Sequence, residues 1–257
     1  MEVKVTRLDN GLTIVTDHMP HLKSAALGVW VSAGSRAENE SEHGLAHLLE
    51  HMAFKGTTTR SAAGIAEEIE AVGGELNAAT SIENTAYYAR VLSDDVPLAV
   101  DILSDILQNA VLDPEELAKE QHVILQEIGA SLDMPEDLVF DRFQQTAFSD
   151  QSIGRPILGT PESVTNFTPD TISSYLSKHY TSEEMVVSAA GDVDHDSFAK
   201  LVGNKFDHVV KGPGKTSTAA QYTGGELVEN RDLQEVQILL GFEGCLLYTS
   251  PSPRDRG

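Results

Sequence analysis

The residues best suited to chemistry are two histidines and a glutamate in one short segment, His47, Glu50 and His51. Helix start and stop signals predict a helix over residues 43–54, so histidines four residues apart leave the same helix face about one turn apart. Two nitrogens so placed can bind one zinc ion at about 2.0–2.1 Å. Glu50 follows His47 by three residues on the same side, where it can act as a base on a water molecule. Paired histidines also occur on helices that bind no metal, so this string alone leaves both interpretations open.

A third metal ligand is needed, because a catalytic zinc usually has three protein ligands and one open position. Periodicity predicts a helix over residues 114–131, whose inward apolar stripe is interrupted by two carboxylates, Glu120 and Glu127. A buried carboxylate without a partner is strongly unfavourable. A zinc ion would neutralise Glu127, and Glu120 would lie behind a ligand histidine as an orienting acceptor. The alternative is that this face lies at the surface, where glutamate is common.

His43 could also be mistaken for a ligand, because it lies four residues before His47. A position at the start of the helix favours a solvent-facing or supporting role instead.

Residues 43–57 read HGLAHLLEHMAFKGT, and this string resembles the zinc helix of the pitrilysin family of metallopeptidases, close to its mitochondrial-processing-peptidase branch. The third ligand of that family lies 76 residues beyond the second histidine, which is Glu127 here. The family's additional glutamate, seven residues earlier, falls on Glu120. The resemblance covers essentially residues 3–244, with further matching strings at residues 8–12, 73–78, 159–162 and 189–192.

The resemblance implies a zinc-dependent endopeptidase that hydrolyses peptide bonds in extended peptides or presequences, with one Zn²⁺ per chain. His47, His51 and Glu127 would bind the metal, and Glu50 would activate the zinc-bound water. It also implies a substrate-binding strand at a sheet edge beside the zinc, which would pair with the extended backbone of the peptide. An ordinary edge strand is the alternative for that segment, whose residues are Asn77, Ala78, Ala79 and Thr80.

Family members are clamshells of two similar halves, and the resemblance implies that this chain is the N-terminal half. The expected partners are therefore a peptide substrate and a missing C-terminal half or homologous subunit, as a dimer. Alone, the chain is expected to bind zinc with low activity. The alternative is a non-catalytic assembly or substrate-recognition subunit of a processing-peptidase complex. Such subunits usually lose metal residues, whereas all of them are present here.

A different enzyme class, the S-ribosylhomocysteine lyases, also uses the string His-x-x-Glu-His. It relies on a catalytic cysteine, and the one cysteine here, Cys245, lies in a segment of doubtful origin. Residues 245–255 back-translate into a transposase-type sequencing adapter, so residues 245–257 are interpreted as an artefact.

Composition narrows the function classes further. The 257 residues carry a formal net charge of −22, which argues against nucleic acid or an anionic membrane as partner. No stretch approaches the roughly 20 apolar residues needed to cross a bilayer. The sequence shows no signal or transit peptide. These features predict a cytoplasmic protein of bacterial type, with the mitochondrial matrix the less favoured alternative.

The remaining patterns predict an α+β fold, in which helices pack on a mostly antiparallel or mixed sheet. A hairpin is expected at residues 3–16 around Asp9-Asn10-Gly11. Further strands are expected at residues 25–32, 75–80, 85–92 and 185–190, and further helices at residues 62–72, 94–108, 135–148, 169–179 and 195–206. The zinc-binding domain is predicted at residues 1–210 and a linker at residues 211–224. Strand-like alternation at residues 225–244 predicts the start of a second, truncated homologous domain.

Overall fold

A computed structural model describes residues 3–212 and 218–244 of the chain. Its centre is a six-stranded sheet with the strand order β1-β2-β6-β3-β5-β4. The strands are β1 (Val3–Arg7), β2 (Thr13–His18), β3 (Ser24–Val31), β4 (Glu75–Thr80), β5 (Thr85–Leu92) and β6 (Met185–Gly191).

The strand pairing is mostly antiparallel. The pairs β1–β2, β3–β5, β3–β6 and β4–β5 are antiparallel, and β2–β6 is parallel. The first hairpin turns at Gly11, whose φ of +97° is a conformation that glycine adopts readily. Since β6 is inserted between β2 and β3, the sheet joins the beginning of the domain to a strand that comes more than 150 residues later.

The helices lie between and after the strands along the chain. They are α1 (Leu45–Met52), α2 (Ala62–Ala71), α3 (Val96–Gln108), α4 (Pro114–Asp133), α5 (Pro135–Ala147), α6 (Pro161–Thr165), α7 (Pro169–His179) and α8 (His195–Lys205). Short 3₁₀ turns at residues 35–37 and 40–42 lead into α1.

Helices cover one face of the sheet. In β3, Leu27, Val29 and Val31 are buried while Trp30 is exposed, as expected when alternate side chains point to opposite faces. Helix α3 packs on β3 and β5, and α8 packs on β2. One hydrophobic core extends from Leu12 to Val209. The expected α+β class with a mostly antiparallel sheet is therefore confirmed.

One helix was not predicted from the sequence, and one strand-like pattern does not form a strand. Residues 161–165 form the short helix α6, because Thr160 and Ser163 cap its start reciprocally and Pro161 occupies its first position. Residues 225–244 form no strand, although their apolar and polar residues alternate. A strand needs a partner for its backbone groups, and side chains such as Val236, Ile238 and Leu240 are instead largely exposed.

The adapter-like residues 245–257 lie outside the described residues, as do positions 213–217 of the expected linker. The domain boundaries therefore stay predictions. No helix in the described ranges is both long and apolar enough to cross a membrane.

The central strand β3 offers a test of this packing. Replacing Leu27 with alanine should lower the free energy of unfolding by about 2–5 kcal/mol, because Leu27 is 2% exposed and its loss leaves a cavity. Urea denaturation measures this change. The matched variant Leu92→Ala, at a leucine that is 55% exposed, should change stability by less than about 0.5 kcal/mol. Equal effects of the two variants would contradict the assignment of the buried face.

Candidate metal centre

Helix α1 separates a buried apolar face from a polar face. Its apolar residues Leu45, Leu48, Leu49 and Met52 are buried in the core. A helix of eight residues has little stability in isolation, so this burial holds α1 in place. The other face carries His47, Glu50 and His51, which are half-buried.

Helix α4 brings the distant carboxylates to α1. It begins at Pro114, and the side chain of Asp113 accepts hydrogen bonds from the backbone N–H groups of Glu115 and Glu116. Its 20 residues span about 30 Å, and it packs directly against α1. Glu120 lies on the buried face of α4, so the alternative of a surface position was wrong for this carboxylate, whereas the side chain of Glu127 is 41% exposed.

The side chains of His47, His51 and Glu127 converge on one point. The Oε2 atom of Glu127 lies 3.6 Å from Nε2 of His47 and 3.9 Å from Nε2 of His51. One ligand atom from each residue lies within 4.8 Å of the other two. Atoms bound tetrahedrally to one zinc ion at about 2.0–2.1 Å are separated by about 3.3 Å. The two distances from Glu127, 3.6 and 3.9 Å, are close to this spacing.

The other nitrogen of His51 is fixed by Glu120. His51 Nδ1 lies 2.9 Å from Oε2 of Glu120, and Nζ of Lys55 lies 2.6 Å from the other carboxylate oxygen. Burial alone would raise the pKa of Glu120, but the hydrogen bonds from Lys55 and His51 outweigh it and lower the pKa. With Nδ1–H donated to Glu120, the lone pair of His51 is on Nε2, the nitrogen that faces Glu127.

The donor set fits a divalent metal ion. Burial, reinforced by the neighbouring His51, lowers the pKa of His47 to about 4. At neutral pH His47 is therefore uncharged, which is the form that binds metals. Oε2 of Glu127 is shielded from solvent and accepts no hydrogen bond from the described residues. A cation between these three groups would give this shielded oxygen the partner that it lacks, although the Glu127 side chain as a whole is 41% exposed.

Glu50 lies on the same side of α1, near two buried tyrosines. The hydroxyl groups of Tyr87 and Tyr180 are 2.9 Å apart. Burial raises the pKa of both phenols, and the charge of Glu50 adds to this shift. These tyrosines therefore stay protonated beside the carboxylate. His43 is buried rather than solvent-facing, and its Nε2 bonds to the carbonyl oxygen of Pro156 at 2.8 Å.

The segment predicted to bind substrate is strand β4, at the end of the sheet next to α1. Thr80 Oγ1 donates a hydrogen bond to the carbonyl oxygen of Ala46 at 3.4 Å, which joins the strand to the metal-site helix. Asn77 and Ala79 are exposed, whereas Ala78 is buried. Among the described residues no strand pairs with the outer edge of β4. That edge can accept another strand.

Sequence reasoning did not include Lys55 in the site. Lys55 lies four residues after His51, and on a continuous helix this spacing would place both side chains on one face. The spacing therefore indicated that Lys55 could contact the carboxylate of Glu120, as His51 does. The helix ends at Met52, however, and only the structure shows the contact between Lys55 and Glu120.

Two family descriptions match the chain. Residues 13–161 match the family described as "Insulinase (Peptidase family M16)", and residues 166–252 match the family described as "Peptidase M16 inactive domain". The histidines and glutamates of the candidate metal centre lie within the first match.

Curated relatives carry peptidase names. The chain is 45% identical over 240 residues to an "uncharacterized zinc protease" of Rickettsia felis, covering 93% of this chain and 58% of that protein. It is 40% identical over 248 residues to the mitochondrial-processing peptidase subunit beta of Saccharomyces cerevisiae, and this match covers 94% of this chain and 54% of that protein. The chain thus spans little more than half the length of these relatives.

The fold is also found among solved structures. The crystal structure of a protease from Helicobacter pylori is similar with a TM-score of 0.79 at 23% sequence identity. The match covers 86% of this chain and 54% of that one.

The state of His47 makes stability depend on pH. The metal-free chain should lose stability as pH falls from about 6.5 towards 4, because unfolded His47 binds a proton that the folded residue excludes. The loss across this window should be on the order of 3 kcal/mol. Urea denaturation with a chelator, at several pH values, measures it. His47→Asn should reduce this slope, while His208→Asn, at a histidine with a 90% exposed side chain, should leave it unchanged. An undiminished slope in His47→Asn would contradict the burial argument.

The contact between Glu120 and His51 can be tested by metal affinity. Glu120→Gln keeps the side-chain shape but removes the charge that pairs with Lys55 and orients His51, so zinc affinity should fall about 10–100-fold. Competition with a coloured chelator measures the affinity. Glu116→Gln, on the same helix with its partner Lys119 at the surface, should leave it unchanged.

Proposed function

The chain belongs to the insulinase family of peptidases, family M16, and we propose that it is the zinc-binding half of an endopeptidase that hydrolyses extended peptides or presequences. The observation that carries the proposal is the convergence of three ligand atoms within 4.8 Å, two from α1 and one from α4. In this proposal His47, His51 and Glu127 bind one zinc ion per chain. The zinc-protease names of its relatives support the choice of metal.

Bound at this point, zinc would lower the pKa of a coordinated water molecule and polarise the scissile carbonyl group. The chain's own residues then have separate tasks. Glu50 accepts the proton of the attacking water and passes it to the leaving amine. Glu120 holds the ring of His51, and Lys55 holds Glu120. His47 remains uncharged because burial keeps its pKa near 4.

The free edge of β4 is proposed as the binding site for the substrate backbone. An extended peptide added to this edge would run beside α1, since β4 packs on that helix. Main-chain hydrogen bonds give affinity with little dependence on peptide sequence. The residues proposed to contact the substrate are Asn77, Ala78, Ala79 and Thr80.

The active assembly is proposed to contain a second half. Relatives are nearly twice as long as the matched region, and one of them is named as a subunit of a processing peptidase. We therefore propose that a C-terminal half or homologous subunit closes over the metal face of this chain, as a dimer of similar halves. The chain alone should bind zinc with little peptidase activity. Its proposed compartment is the cytoplasm, which cell fractionation tests.

A non-catalytic subunit is the second candidate function. It is favoured by the match of residues 166–252 to an inactive domain. The residues matched to the inactive domain do not include the metal centre, which lies within residues 13–161. Measurement of zinc content separates the two candidates, because a subunit that only recognises or assembles has no need of the metal.

The role of Glu50 gives the direct test of function. In the full-length protein, Glu50→Gln should bind zinc as the wild type does and reduce peptide hydrolysis at least about 10²-fold, because the base is lost while the ligands remain. Zinc content by atomic absorption and cleavage of a quenched fluorescent peptide are the two measurements. Glu67→Gln, at an exposed glutamate of α2, is the matched control and should retain activity. Full activity of Glu50→Gln would exclude the proposed base.

A further inference from the structure

The start of helix α1 cannot be capped by a side chain of its own N-cap residue. That residue is Gly44, which has a φ of +94°. A Cβ atom added there would lie 2.8 Å from Cα of Gly159 and 2.8 Å from the carbonyl oxygen of Leu158. Only glycine fits this close approach of two backbone segments. The side chain that usually satisfies the first N–H groups of a helix is therefore absent from this position.

Helices α3 and α5 have a proline in their first turn and no side-chain cap, whereas five other helices of the described chain use the ordinary solution. Their N-cap side chains accept a backbone hydrogen bond: Ser61 for α2, Asp113 for α4, Thr160 for α6, Thr168 for α7 and Asp194 for α8. Helix α1, which carries the candidate metal ligands, is capped instead by a side chain from elsewhere in the chain.

The missing cap is supplied by Glu38, which precedes Gly44 by six residues. Its Oε2 accepts a hydrogen bond from the N–H of Gly44 at 2.9 Å, and its Oε1 accepts one from the N–H of Ala46 at 2.7 Å. The guanidinium group of Arg155 donates to the backbone oxygen of Glu38 and fixes the loop that carries it. A carboxylate at this end of a helix also interacts favourably with the helix dipole.

The position of Glu38 is energetically unfavourable for a glutamate. The residue is 3% exposed. Burial raises the pKa of its carboxyl group to about 8, against the lowering effect of the two backbone donors and Arg155. A pKa of about 8 means that folding takes up a proton at Glu38 between about pH 4.5 and 8, so this residue reduces folding stability near neutral pH. An apolar residue at this position would avoid that cost, but it could not accept hydrogen bonds from the backbone N–H groups of α1.

The two hydrogen bonds of Glu38 fix the backbone at the start of α1, next to the candidate metal ligands. Ala46 directly precedes His47, so one carboxylate oxygen fixes the backbone next to the first candidate ligand. The second oxygen fixes Gly44, and two contacts on one rigid group restrain both the rotation and the axial position of the helix start. Glu50 and His51 lie within the next turn of the same helix. Any shift of α1 would move these side chains relative to Glu127 on α4.

We propose that Glu38 is a positioning residue of the metal centre, which fixes α1 so that its two histidines and its base face Glu127. This inference rests on the proposed function, since it assumes that the convergent side chains bind a metal. It differs from the role of Glu120, because Glu38 acts on the helix backbone rather than on an imidazole ring.

Binding of Co²⁺ alone to the chain tests the proposal. Cobalt can replace zinc in such sites, and its visible absorption reports the geometry of the ligands. Glu38→Ala should lower Co²⁺ affinity about 10–100-fold and change the visible spectrum, because supporting contacts of metal ligands have effects of this size. Glu38→Gln should be intermediate, since its amide oxygen can accept from one backbone N–H while its NH₂ group cannot accept from the other.

The matched control is Glu42→Gln in the same loop. Glu42 caps the 3₁₀ turn at residues 40–42 through the N–H of Asn39 and pairs with Lys178 of α7, so Co²⁺ affinity and spectrum should match the wild type. Hydrogen exchange should be faster at the amides of Gly44 and Ala46 in the Glu38 variants than in this control.

Each outcome is decisive. If Glu38→Ala does not fold, the affinity and spectrum of Glu38→Gln decide the question. Wild-type Co²⁺ affinity and spectrum in a folded Glu38 variant would overturn this inference alone. Failure of the wild-type chain to bind Co²⁺ would overturn the proposed function, and this inference with it.

Discussion

The carboxylate of Glu127 facing two imidazole nitrogens is the interaction on which the site depends. Its Oε2 atom is shielded from solvent, lies 3.6 and 3.9 Å from those nitrogens, and accepts no hydrogen bond from the described residues. Burial keeps His47 uncharged, so this histidine does not neutralise the carboxylate. A divalent cation would do so, and it would use the lone pairs of both rings at the same time.

The fold places His47, His51 and Glu127 together through the packing of α1 against α4. Helix α1 is too short to be stable alone, and its apolar face is anchored in the core between the sheet and α4. Helix α4 is long and carries Glu120 and Glu127 two turns apart, so one helix supplies both a candidate ligand and the carboxylate that contacts His51. Lys55 and Glu38 act from the two ends of α1, one through Glu120 and one through the backbone.

Much of this architecture could be predicted from the sequence, because the patterns concerned are local. The turn at Asn10-Gly11 identified the first hairpin, and the histidine spacing identified α1 as the carrier of the site. Two carboxylates in the apolar stripe of α4 indicated Glu120 and Glu127. The family resemblance, confirmed by the match of residues 13–161, gave the same residues by a separate route. Their roles in catalysis stay predictions.

What could not be predicted depends on contacts between distant segments. The insertion of β6 between β2 and β3 leaves no local pattern, because parallel pairing joins residues more than 150 positions apart. Glu38 lies in an irregular loop without periodicity, and its role follows only from the approach of Gly159 to Gly44. Alternation at residues 225–244 was not sufficient for a strand, because pairing partners determine whether a strand forms.

The central claim is that two imidazoles and one carboxylate bind a single zinc ion, and X-ray absorption at the zinc edge tests it most directly. For the zinc-loaded chain we expect one ion per chain, with two imidazole nitrogens and carboxylate oxygen at about 2.0–2.2 Å. In Glu127→Ala the imidazole signals should remain while zinc is held less tightly. Sulfur in the coordination shell, fewer than two imidazoles, or no stoichiometric zinc would contradict the account.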